Sequence, residues 1–121
     1  MATIEAVEGG HRLTIEQGET MSLSVNYTVG GSTVNLSSGY AARMQGRTTH
    51  SASGTVFNLA NGSGITLAAS DPNIVVTLTA TQSAALAAPQ AGVYDLELEA
   101  TGGSTTRLLK GEFVVNPEVT R

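Results

Sequence analysis

Residues 74–115 read IVVTLTATQSAALAAPQAGVYDLELEATGGSTTRLLKGEFVV, and this stretch decides the fold. Ile74, Val76 and Leu78 alternate with Val75, Thr77 and Thr79, the two-residue period of an extended strand. Thr81-Gln82-Ser83-Ala84-Ala85-Leu86 supplies one short helical turn. An alternative is a helix of more than two turns from Thr79 to Ala88. Pro89 limits either one, because its ring cannot continue a helical hydrogen-bond ladder. Tyr94, Leu96 and Leu98 then alternate with Asp95, Glu97 and Glu99, and Gly102-Gly103 turns the chain. Leu109, Gly111, Phe113 and Val115 alternate on the way back. One face is apolar and the other polar, as in an antiparallel sheet with one buried side.

The same pattern extends towards the N-terminus. Ala2 to Val7 is a first extended segment, closed by Gly9-Gly10, and His11 to Glu16 follows with Leu13 and Ile15 on one face. From Thr20 to Val29 the alternation predicts one strand, with Met21, Leu23, Val25, Tyr27 and Val29 on its apolar face. Gly30-Gly31 is a hairpin turn into Thr33-Val34-Asn35-Leu36. Tyr40 to Arg47 sends Tyr40, Ala42 and Met44 one way and Ala41, Arg43, Gln45 and Arg47 the other. Residues 48–54 read as a loop. Thr55 to Ala60 and Ile65 to Ala69 read as a hairpin around Asn61-Gly62-Ser63-Gly64, and Ser70-Asp71-Pro72-Asn73 as a turn. Short strands with turn signals at close intervals predict an all-β sandwich or barrel. The short helical turn near 80–87 fits a crossing between sheets in a Greek-key type connection. No linker or repeat divides the chain, so 1–121 reads as a single domain.

Composition narrows the function classes. The chain has 121 residues, which suffices for a core without covalent staples, and no cysteine, which excludes disulfides and thiolate metal sites. Six Lys and Arg against ten Asp and Glu give a net charge of -4. So few scattered cations build no phosphate-neutralising stripe and no patch for an anionic bilayer, so neither nucleic acid nor membrane is expected as a partner. No basic, then apolar, leader precedes the first strand, and synthesis in a cytoplasm without a cleaved signal peptide is expected.

Catalytic chemistry finds little to work with. His11 and His50 are the only histidines, His50 lies among Thr48, Thr49, Ser51 and Ser53, and no Gly-x-Ser-x-Gly elbow exists. No catalytic residue, metal ligand or cofactor is therefore assigned. Asp95, Glu97 and Glu99 lie one pleat apart on a single strand face, where they form a ridge and do not converge on an ion. They read as a solvated face, or as partners for Arg107 or Lys110 on the next strand, or as an inter-subunit salt-bridge surface. Arg43 and Arg47, on the polar face of another strand, and Arg107 are candidates for the same contacts. Tyr94 near the start of a late strand resembles a tyrosine corner, although Leu96 stands where a cysteine is expected. The preferred reading is a core-facing aromatic with a wet hydroxyl.

Several segments carry a family resemblance. They are Leu13 to Thr20, Tyr40 to Met44, Ile74 to Gln82, Gly92 to Leu98, Leu108 to Val115, and Glu118-Val119-Thr120-Arg121. In this order they resemble the small Ig-like β-sandwich structural proteins of tailed bacteriophages, and are similar in plan to N-terminal domains of baseplate upper proteins. The resemblance implies a single Ig-like antiparallel β-sandwich and a non-enzymatic virion component. Such a component docks in many copies on the head, neck or collar, or tail, against other virion proteins and copies of itself. Asp95, Glu97, Glu99, Arg43, Arg47 and Arg107 are the expected inter-subunit contacts. A stand-alone carbohydrate- or peptide-binding sandwich is the alternative.

Overall fold

The computed structural model describes residues 3–7 and 10–119, with side chains described from His11 onward. Eleven strands and one helix follow one another among these residues. They are β1 (Thr3–Val7), β2 (Gly10–Glu16), β3 (Met21–Val25), β4 (Thr28–Val29), β5 (Ser32–Thr33), β6 (Tyr40–Arg47), β7 (Phe57–Asn61), β8 (Gly64–Leu67), β9 (Ile74–Leu78), α1 (Ala80–Ala84), β10 (Gln90–Ala100) and β11 (Thr105–Asn116). Nine strands form one hydrogen-bonded sheet in the order β1-β2-β11-β10-β6-β7-β8-β9-β3, and β4 and β5 form a separate ribbon.

The long sheet is doubled over on itself. Leu96, Leu98, Met44 and Phe113 from its first half share one buried core with Ile65, Ile74, Val76 and Met21 from its second. Two halves of a sheet can share a core only as facing layers. The first layer places β6, β10 and β11 side by side; the second places β8, β9 and β3. This is the C-F-G against E-type arrangement of immunoglobulin-like sandwiches, and the expected all-β, Ig-like fold is present. Pairing is antiparallel apart from two parallel contacts, β11 with β2 and β7 with β8. Gly111 permits the first of these: a Cβ there would overlap the backbone of His11.

The expected hairpin at 61–64 is corrected by the second parallel contact. Ala60 pairs with Gly64 and Asn61 with Ile65 in parallel register. Gly62 and Gly64 have φ of 84° and 99°, and their left-handed backbone carries the chain from one layer to the other.

The expected ten-residue strand from Thr20 to Val29 is also corrected. It stops at Val25, and Val29 is 61% exposed. The fully buried Asn73 replaces the ladder beyond that point. Its Oδ1 accepts from the Tyr27 amide at 2.8 Å, and its Nδ2 donates to the carbonyls of Tyr27 (2.9 Å) and Val34 (2.8 Å). The chain then turns through Gly30-Gly31 as the β4–β5 ribbon.

Between β9 and β10 the short helical turn is α1, five residues long, and the longer alternative is overturned. A capping box begins it: the Gln82 amide donates to Thr79 Oγ1, while the Thr79 amide donates to Gln82 Oε1. Ser83, fully buried, fastens α1 to the β2–β3 turn by donating to the Glu19 carbonyl at 2.7 Å and accepting from the Gly18 amide at 3.0 Å.

Candidate docking face

β6, β10 and β11 lie side by side, and their apolar positions turn inward. Tyr94, Leu96 and Leu98 are buried on β10, as are Ala42 and Met44 on β6. The intervening residues must then stand on the outer surface. Glu97 is opposite Arg43 on β6 and opposite Arg107 on β11, and Asp95 is opposite Gln45 and Lys110.

The register slips by one residue between Leu96 and Glu97, so that Leu96 pairs with Leu109 and Glu97 with Arg107. Leu108 is the extra residue. Without this bulge, Arg107 would share the inward parity of Leu109; with it, Arg107 reaches the outer face. Its Nε lies 3.2 Å from Asp95 Oδ2 and its Nη2 4.0 Å from Glu97 Oε2, while Arg43 Nη2 lies 3.4 Å from Glu97 Oε1. The result is a chain of alternating charge, Arg43–Glu97–Arg107–Asp95, across three strands. Its side chains are between about a quarter and 60% exposed, so each pair contributes on the order of 0.2–1 kcal/mol and the ladder costs little to rearrange.

The other two expected contact residues behave differently. Arg47 turns back into its own chain. Its Nη1 donates to the carbonyls of Ala52 (3.0 Å) and Gly54 (3.2 Å), and its Nη2 to Gln45 Oε1 (3.0 Å). It thereby holds the 48–56 loop against the sheet. Glu99 is exposed and makes no ion pair among the described residues.

Together these elements form an open groove of about 510 Å³ over the outer face. Arg43, Arg107 and Lys110 supply cations, Asp95, Glu97 and Glu112 anions, and Gln45 and His50 neutral polar groups. The strand alternation already placed most of these residues outside. The groove itself was not foreseen, because it depends on how the 48–56 loop rises beside the sheet. His50, exposed on that loop, is not hydrogen-bonded to Ser51 or Ser53, and no group of three His, Asp or Glu among the described residues could hold a metal ion. Nor is any helix among them long and apolar enough to cross a membrane.

Tyr94 faces the core, as one expectation has it, but its hydroxyl departs from both. It is 4% exposed, and its hydroxyl is buried without a hydrogen-bond partner among the described residues. It is therefore neither wet nor bonded as a tyrosine corner. Its direct strand partners are Gly46 and Gly111, neither of which has a side chain to meet it. Burial pushes the phenol up to about 12, because the phenolate would lose its hydration.

Comparison with protein-family models gives no match, and comparison with curated proteins gives none. Among solved structures, that of murine CRIg aligns over 98% of this chain and 98% of its own, with 10% sequence identity and a TM-score of 0.42.

Proposed function

We propose that this chain is a non-enzymatic, Ig-like docking module of a tailed-bacteriophage particle, held in many copies on the head, the neck or collar, or the tail. The sequence resemblance supplies the particle. The observation that carries the docking role is the charge ladder Arg43–Glu97–Arg107–Asp95, spread over three strands on an open sheet face. Charges spread in this way suit a broad protein surface of complementary charge, which they orient and select. General acid–base or nucleophilic work would require the opposite, convergence of a few groups on one reacting atom.

The proposal is tested by isolating virions and measuring the copy number of the chain by quantitative mass spectrometry. A copy number that is a multiple of a particle symmetry supports it. Absence from particles contradicts it. A second reading draws on the groove of about 510 Å³, whose mixed polar lining could seat a small polar ligand such as a sugar or a peptide terminus. Saturable binding on a glycan or peptide array by a chain absent from virions would favour that reading.

A further inference from the structure

We infer that the free edge of β3 is a self-pairing edge through which two copies of this chain join as a two-fold dimer. β3 ends the nine-stranded order and pairs only with β9, so its other side presents backbone amides and carbonyls to whatever lies beyond. No described residue outside β9 hydrogen-bonds to the backbone of residues 21–25. A row of this kind is a template for another strand.

The usual guards are missing. Met21-Ser22-Leu23-Ser24-Val25 contains no charge and no proline, and the sheet's bulge lies elsewhere, at Leu96/Glu97. At the other end of the sheet, β1 carries Glu5 within Thr3-Ile4-Glu5-Ala6-Val7.

The sequence of β3 also identifies the partner. It is palindromic in chemistry about Leu23. Antiparallel pairing with its own copy sets Leu23 against Leu23, Met21 against Val25 and Ser22 against Ser24. Every apolar side chain then meets an apolar one on the core side, and every serine meets a serine on the outer side. Such matched cross-strand pairs are favourable. Leu23 and Val25 are only half-buried although they pack against the core, so a paired strand would complete their cover. A two-fold contact of this type closes at two copies and does not propagate.

Five paired residues a side bury less than the roughly 1,000 Å² expected of a stable interface, so the dimer is weak and concentration-dependent. The inference rests on backbone chemistry and is independent of the particle assignment.

Sedimentation of the purified chain from micromolar to millimolar concentration tests it, alongside the variant Ser22→Lys/Ser24→Lys. That variant sets lysine against lysine across the two-fold axis while leaving the core residues intact. The expected result is a reversible monomer–dimer equilibrium, weakened about tenfold or more in the lysine variant. A trapping experiment covers the case in which that variant fails to fold. The chain has no cysteine, so Ser22→Cys/Ser24→Cys should give a covalent dimer under mild oxidant, and Ser22→Cys alone should not. A chain monomeric throughout the range overturns the inference. So does a dimer indifferent to the lysines, or a double-cysteine variant that stays uncrosslinked.

Discussion

β3 with its continuation to Leu36, and β10 with its partner β11, start from the same kind of sequence and end differently. Both alternate apolar and polar residues over about ten positions. In β10 the alternation runs as an unbroken strand of 11 residues, flanked by β6 and β11, with Tyr94, Leu96 and Leu98 buried. After Val25 the same alternation leaves the ladder, and the side chain of Asn73 takes over the backbone of Tyr27 and Val34. The difference teaches that a period of two identifies faces, whereas strand length depends on which neighbour satisfies the backbone.

The largest expected effect is in the doubly flanked strand. Leu96 is fully buried, and Leu96→Ala should lower the unfolding free energy by about 3–4 kcal/mol through lost burial and the cavity left behind. Chemical denaturation should show a single transition at lower denaturant. Asn73→Ala should cost about 2–3 kcal/mol, because it strands the amide of Tyr27 and the carbonyl of Val34 and leaves the Tyr27 carbonyl only the Val34 amide. Its distinguishing mark is local: amide exchange should quicken at Tyr27 and through the β4–β5 ribbon before the core responds. Equal protection of both regions in that variant would erase the contrast between them.

Tyr94 sharpens the comparison by pH. Its folded-state value is raised above the unfolded value near 10, so its contribution is fully present below pH 10 and is lost as pH rises towards 12. Stability should fall over that window by on the order of 2–3 kcal/mol, and Tyr94→Phe should abolish that part of the decline. At neutral pH the same variant should be nearly neutral or slightly stabilising, since the hydroxyl it removes has no partner. The smallest effect belongs to the outer face. Arg107→Ala should change stability by less than about 1 kcal/mol, and less still at high salt.

Much of this architecture was legible in the residues, for physical reasons that differ by element. The buried faces of β9, β10 and β6 follow directly from alternation, since a pleated strand has only two sides. The short helical turn reads from Thr81 in the sequence, whereas α1 starts at Ala80 behind a Thr79–Gln82 capping box that the strand alternation around it does not reveal. Other features depend on contacts remote in sequence. Asn73 acts on residues 46 and 39 positions away. The parallel approach of β7 and β8 turns on the backbone of Gly62 and Gly64, which side-chain alternation does not reveal. Of the six expected contact residues, Arg43, Asp95, Glu97 and Arg107 meet on one face. Arg47 is engaged by its own loop instead. Arg107 reaches the face through a bulge at Leu108 that alternation alone would have hidden.

The proposed docking role in a phage particle is tested most directly by charge reversal on that face in an otherwise unaltered particle. Asp95→Lys/Glu97→Lys/Glu99→Lys should leave the circular dichroism spectrum and the monomer core unchanged, because all three positions lie on the outer side of β10. Incorporation into purified virions should drop severely. Wild-type incorporation of this folded variant would contradict the account.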